Sequence, residues 1–343
     1  MNNKKLLLGV SIITLIIGVI GINYYLKIFG GTVTENVAIY IPSNATFEDV
    51  KLLIKPHIKK ESAFDWVAQK KKYPNLVKGG KYDLTQGMNT NDLVDLLRSG
   101  NQSPIKIAFN NQHRIETLAG RISQQIEADS ISLLAAIKDE AFLKENGFSE
   151  ATALAMYLPN SYQLYWNTNA EQFRNKMLSE YRKYWNGNRL ELAKKQNLSP
   201  IQVSTLASIV HKETSTISER PRVAGLYLNR YKNKWPLQAD PTIIFALKEK
   251  KGQDIEIKRV LLKDLEINSK YNTYKYVGIP PGPIAMPDIS AIEAVLKPEN
   301  HNYFYMCADI DNFGKHVFAR TLAQHNKNAA KYQRWLNKQG VNR

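Results

Sequence analysis

A glutamate that closes an apolar helical stripe is the first feature of this sequence with chemical potential. The run Ser199-Pro200-Ile201-Gln202-Val203-Ser204-Thr205-Leu206-Ala207-Ser208-Ile209-Val210-His211-Lys212-Glu213-Thr214 opens with a residue able to N-cap and a proline suited to the first helical position. Val203, Leu206 and Val210 recur at helical spacing, and Glu213 extends the same stripe. A carboxylate aimed at the buried side of a helix near its C-terminal end is disfavoured in its charged form twice. Desolvation acts against it, and so does the negative end of the helix dipole. A glutamate with a raised pKa is what protonating a glycosidic oxygen near neutral pH requires. Periodicity alone accommodates a second reading equally well, a glutamate paired with a buried arginine. His211 lies about 200° around the helix from Glu213, so the two do not form a paired site.

Other segments carry polar residues in patterns that could line a cleft. In Ser218 to Arg230, Ser218 suits an N-cap, and Glu219 and Arg222 stand three apart and can pair. In Leu237-Gln238-Ala239-Asp240-Pro241-Thr242, Asp-Pro reads as a cap and first turn. The alternative for Asp240 is a carboxylate held rigid at a loop–helix junction, facing a cleft. Tyr271-Asn272-Thr273-Tyr274 offers rings and amides that stack on and bond sugars. Gly278 to Ala285 is a proline-rich loop with few conformations open to it. No histidine pair shows metal-ligand spacing, and the single cysteine, Cys307, excludes a multi-cysteine zinc site. Cys307 reads as a buried strand residue. Neither a metal nor a cofactor is expected.

These residues need a scaffold, and 343 residues are more than one core usually organises. Leu6 to Leu26 carry no charge and are mostly aliphatic, long enough to span a bilayer. No small-residue cleavage site follows, and Tyr24 and Tyr25 suit the interfacial belt. Lys4 and Lys5 before the span, against Lys27 after it, favour an N-terminus in the cytoplasm and the bulk of the chain outside. The expected organisation is a cytoplasmic stub over 1–5 and a transmembrane helix over 6–26. A small α+β module over 33–104 and a larger mixed α+β domain over 105–343 follow. In the module, Val37 to Ile41 and Gly80 to Leu84 read as strands. Thr46 with Asp49 forms a capping-box variant, and Asn89 caps a helix that Ser99-Gly100 ends. Residues 105–196 read as mainly helical after the strand Ile105 to Phe109, with an aromatic turn at Tyr157 to Tyr162. A terminal helix follows Gln324. The net charge of +16 favours an anionic partner, but no dense basic run interleaved with aromatics marks nucleic acid.

Taken together, the motifs resemble the endolytic murein transglycosylase (YceG-like) family. They are Ala207 to Thr214, Ser218 to Arg220, Asn229-Arg230, Leu237 to Thr242, Tyr271 to Tyr274, Gly278 to Ile284, and Phe318-x-x-Thr321-x-x-x-His325-Asn326. The turn at Tyr157 to Tyr162 is similar to the family's aromatic turn, with Leu158 for phenylalanine. The resemblance implies a membrane-anchored enzyme with a LysM-like module and a catalytic domain. It implies non-hydrolytic cleavage between N-acetylmuramic acid and N-acetylglucosamine to give 1,6-anhydro ends, terminating or trimming nascent strands. The family's catalytic glutamate falls on Glu213, and His211 replaces its usual glutamate two positions earlier. Glu219, Asn229, Gln238, Asp240, Thr242, Tyr271, Asn272, Thr273, Tyr274, Pro281 and Gly282 are the implied substrate-binding residues. The implied partners are peptidoglycan glycan strands, the cytoplasmic membrane and peptidoglycan synthases, with no nucleic acid. A hydrolytic muramidase using Glu213 and Asp240, and a non-enzymatic wall-binding protein, are the competing readings.

Overall fold

The computed structural model describes residues 3–257 and 259–338, a mixed α+β chain. Residues 1–2, the start of the expected cytoplasmic stub, lie outside the described residues. The helices are α1 (Asn3–Phe29), α2 (Phe47–Ile54), α3 (Glu61–Lys70), α4 (Thr90–Ser99), α5 (Ile115–Ser123), α6 (Ser130–Ile137), α7 (Glu140–Glu145), α8 (Ala170–Tyr184), α9 (Gly187–Lys195), α10 (Pro200–Glu213), α11 (Arg220–Lys232), α12 (Asp240–Lys251), α13 (Ile289–Leu296) and α14 (Leu322–Lys338). The strands are β1 (Val37–Ile41), β2 (Gly80–Leu84), β3 (Ile105–Phe109), β4 (Asn160–Leu164), β5 (Tyr305–Ala308) and β6 (His316–Ala319). Asn160–Leu164 is a strand where the sequence reads as turn and helix. Its inward residue Tyr162 carries the alternation in a segment too short to show a period.

Two compact units divide the chain. The first comprises the chain up to Ile107 with Gln124–Ala128 and Tyr162–Asn169. In it α1 contributes Leu6–Phe29, 24 residues long and apolar enough to cross a membrane. β1 and β2 pair antiparallel, Val37 opposite Leu84 and Ile41 opposite Gly80. Ile39, Ile41, Tyr82 and Leu84 turn to one buried face, as period-two alternation requires. Phe47 of α2 and Phe64 of α3 stack at 5.9 Å between ring centres, and Tyr73 meets Phe47 edge-on at 5.7 Å. Thr46 and Asp49 form a complete capping box on α2. Asn89 caps α4, and Gly100 ends it in the left-handed region.

The second unit comprises Ala108–Ser123, Asp129–Ser161 and the chain from Ala170 onward. Its main core lies among α10, α11 and α13, where Val203, Leu206, Ile209, Val210, Val223, Ile292 and Val295 are fully buried. β5 and β6 pair antiparallel, Tyr305 opposite Ala319 and Ala308 opposite His316. α12 closes a smaller cluster through Ile243, Ala246 and Leu247 with Ile267.

Candidate active site

The local chemistry of α10 delivers Glu213. Ser199 accepts from Gln202 N, and the Gln202 side chain accepts from Ser199 N at 2.9 Å, so the helix starts on a full capping box with Pro200 behind it. Val203, Leu206 and Val210 carry no exposed surface and lock the helix's rotation in the core. Ser208 Oγ accepts from Ile284 N at 3.0 Å, tying the proline-rich loop to the same helix. Glu213 is the last residue of α10, with Thr214 extended beyond it. Among the described residues, no arginine forms a salt bridge with its carboxyl, although the charge of Arg230 acts on it. Tyr227 of α11 donates its hydroxyl to Glu213 Oε1 at 2.7 Å.

Burial pushes the Glu213 carboxyl up to about 6, and the negative charge of Asp240 adds to that rise. The Tyr227 hydrogen bond, His316 and the Arg230 guanidinium pull the other way and keep the rise moderate. Burial and the Glu213 charge hold the Tyr227 phenol well above its ordinary range, so it remains a donor.

Glu213 opens into a cavity of about 220 Å³ that Tyr227, Arg230, Gln238, Asp240, Tyr274 and His316 share with it. Met306, Cys307 and Ala308 of β5 form one wall. Cys307, expected as a buried strand residue, is a half-buried part of that wall, and burial raises its thiol. His316 faces Ala308 across the hairpin. The His316 ring is held by Glu219, whose Oε2 lies 3.0 Å from Nδ1 while its Oε1 accepts the His316 backbone N–H at 2.7 Å. A carboxylate on Nδ1 keeps a proton there and leaves Nε2 to meet a ligand. Glu219 therefore pairs with His316 and not with Arg222, which bonds Glu299 at 2.9 Å. Ser218 does not cap α11; it sits in a 3-10 turn over Ile217–Glu219, and Arg220 opens the helix with Pro221 in its first turn and no side-chain cap.

Arg230 lines the cavity and braces its frame. Its Nε donates to Phe304 O at 2.7 Å, just before β5, and its Nη1 donates to Leu237 O. Asp240 is the first residue of α12 and makes no capping bond; the structure gives Ala239 the cap position. The carboxylate instead accepts the Tyr274 hydroxyl at 2.6 Å inside the cavity. Gln238 reaches the same space from left-handed backbone at φ 52°.

Four of the remaining expected residues commit their side chains to holding this wall. Asn272, fully buried, donates to Leu265 O and Ile267 O, both at 2.8 Å, and accepts from Tyr274 N at 3.0 Å. Thr273 Oγ1 accepts from Ala239 N at 3.0 Å and meets Thr242 Oγ1 at 2.8 Å. The loop carrying Tyr274 is thereby bolted to the start of α12. Asn229 donates to His301 O and Tyr303 O at 2.8 and 3.1 Å, fixing the approach to β5. Tyr271 packs on Phe245 at 4.6 Å and lines a different pocket. Pro281 is exposed, whereas Gly282 is buried so tightly that a Cβ would fall 1.9 Å from Ala151 O. His211 stands away from Glu213, 3.2 Å from Asp288, which also accepts from Arg220 at 2.8 Å.

Sequence reasoning missed Tyr227, Arg230 and His316 as cavity residues. Arg230 sits inside a recognised motif, so that signal was present. Tyr227 reads as part of an apolar face, and His316 is brought in by a hairpin pairing that no local spacing announces.

Comparison with known proteins covers most of the chain. The model of the YceG-like family matches residues 39–331. An endolytic murein transglycosylase of Bacillus subtilis is 31% identical over 314 residues, which is 86% of this chain and 84% of the relative. An endolytic murein transglycosylase of Streptococcus pneumoniae is 27% identical over 329 residues; this chain spans 58% of its length. A crystal structure of a yceG-like protein from Listeria monocytogenes aligns with a TM-score of 0.56 at 27% identity, covering 85% of this chain and 98% of that one.

Proposed function

Since the chain belongs to the YceG-like family, we propose that it is a peptidoglycan lytic transglycosylase in which Glu213 acts first as acid and then as base. In this reaction the Glu213 carboxyl gives its proton to the oxygen joining N-acetylmuramic acid to N-acetylglucosamine. The bond from that oxygen to muramoyl C1 breaks, and the N-acetylglucosamine leaves with a free hydroxyl. Glu213, now a carboxylate, takes the proton of the muramoyl C6 hydroxyl as its oxygen attacks C1 and closes a 1,6-anhydro ring. No water is consumed, and Glu213 ends protonated. The attacking hydroxyl belongs to the reacting sugar, and effective molarities of such groups reach about 10⁵–10⁸ M. One carboxyl group can therefore serve both half-steps.

The observation that carries the proposal is a Glu213 carboxyl with its pKa near 6, bonded by Tyr227 and open to a polar cavity. Such an acid is partly protonated near neutrality, and its conjugate base is still strong enough to take a proton back. Asp240 supplies negative charge toward an oxocarbenium-like C1. Gln238, Arg230 and Nε2 of His316 offer hydrogen bonds to the sugar hydroxyls and acetamido groups.

Digestion of purified sacculi tests this. Anhydro-muropeptides should appear, and Glu213→Gln should lower turnover by at least about 100-fold, the usual minimum for a general acid/base. Normal product release by that variant would remove Glu213 from the reaction. A second reading, hydrolysis by a muramidase, is favoured by one specific observation. Asp240 shares the cavity with Glu213, the two-carboxylate pattern of ordinary glycosidases. Product mass separates the two, because a reducing end is one water heavier than an anhydro end. Sacculus binding with no soluble product would instead favour a non-enzymatic wall-binding protein.

The proposal extends to the rest of the chain. α1 anchors the protein in the cytoplasmic membrane with the N-terminus inside. Residues 33–104 serve as a LysM-like glycan-binding module. Residues 105–343 form the catalytic domain, which trims or terminates nascent strands beside peptidoglycan synthases.

A further inference from the structure

A second pocket, of about 250 Å³, is lined in part by residues next in sequence to those of the Glu213 cavity. Lys212 precedes Glu213 on α10 and Pro241 follows Asp240 on α12, and both line the second pocket while their neighbours line the first. Consecutive residues on each of two helices thus divide between the two pockets. Ile244 and Phe245 of α12 give the pocket an apolar floor. Lys212, Lys248 and His113 give it charge.

Among the described residues, no carboxylate lines this pocket. Arg114, also in the wall, is already bonded to Glu116 at 3.0 Å. Asp288, whose charge acts on Lys212, is committed to Arg220. Among the described residues, neither lysine forms a salt bridge. Burial and the mutual repulsion of Lys212 and Lys248 lower the Lys212 pKa, and the same two cations with burial lower that of His113. An anion bound between them would relieve this repulsion.

We propose that this pocket binds a free carboxylate of the peptide carried by the muramic acid being cleaved, seating its aliphatic side chains on Ile244 and Phe245 and its charge between Lys212 and Lys248. The assignment rests on the glycan-cleaving reading of the Glu213 cavity. An acidic group next to small apolar side chains matches the pocket's chemistry, and the muramoyl lactyl group is where such a peptide is attached. The two lysines thereby select peptide-bearing over bare glycan strands.

The test uses the full chain in detergent micelles and a fluorescently labelled synthetic peptide ending in D-alanyl-D-alanine, prepared as the free acid and as the C-terminal amide. Anisotropy should show the acid binding at least about tenfold tighter than the amide, the size expected for a charge-assisted contact. Lys212→Gln and Lys248→Gln, on separate helices, should each remove that preference and leave the affinity for the amide unchanged. Equal binding of acid and amide by the unmodified protein overturns the proposal. So does a preference that survives both substitutions. If inorganic phosphate displaces the acid peptide at equal concentration, the pocket is a general anion site and the peptide assignment falls. Binding is read without any cleavage, so failure to cut glycan would overturn the enzymatic reading alone. Absence of an acid preference in the unmodified protein, with cleavage intact, would overturn this one alone.

Discussion

At the residue scale, one carboxyl and its neighbours govern the expected pH behaviour. Glu213 must be protonated to act as the acid, so kcat/KM should fall on the alkaline side with an apparent pKa near 6. Tyr227 stabilises the ionised form, so Tyr227→Phe should move that limb to higher pH. A limb unmoved by this substitution would mean that another group sets it. The same shift has a stability consequence. A carboxyl whose folded pKa exceeds its unfolded one gives stability that is present below the ordinary value and lost as pH rises through about 6. Glu213→Gln removes that loss. Thermal unfolding should find it more stable than the parent at pH 8, by up to about 2 kcal/mol, with the gain absent at pH 4. Glu219 acts through His316. Glu219→Gln should loosen the hold on the His316 ring and lower kcat/KM, read by steady-state kinetics at one fixed pH.

At the element scale, the site depends on where loops are fastened to α10 and α12. Gly282→Ala places a Cβ within 1.9 Å of the Ala151 carbonyl, a clash with backbone that no rotamer relieves. Its cost should be about 1–3 kcal/mol, read as a lower denaturant midpoint. Leu206→Ala should cost about 2–5 kcal/mol by opening a cavity at a fully buried position of α10. Much of this layer was legible beforehand. The Ser199 cap of α10, the stripe that Glu213 completes, β1, β2 and the capping of α4 all follow from local chemistry. Asp240 was legible only as a choice between cap and cleft, because the decision depends on a phenol arriving from Tyr274, 34 residues further along the chain. Glu219 looked like a partner for Arg222 because helical spacing sees near neighbours. Its actual partner, His316, arrives through the β5–β6 hairpin. Asn272 and Thr273 carry sugar-binding chemistry on paper, yet their bonds are spent on main chain and neighbouring side chains, a use that residue type cannot disclose.

At the scale of the whole molecule, α1 is separable in composition from everything that follows. Removing residues up to Phe29 should release the protein from membranes on fractionation, whereas the full chain should resist alkaline extraction. A truncated chain that still pellets with membranes would place the anchor elsewhere. The net charge of +16 should also make retention on anionic wall polymer fall as salt is raised. Finally, the molecule has a single sulfhydryl, and it stands in the wall of the Glu213 cavity. Alkylation can therefore go to one place only. Because burial holds that thiol mostly protonated, the reaction with a maleimide should be slow and should quicken with rising pH. Occupancy by a sugar chain should shield it, so the labelling rate becomes a built-in gauge of how full the cleft is.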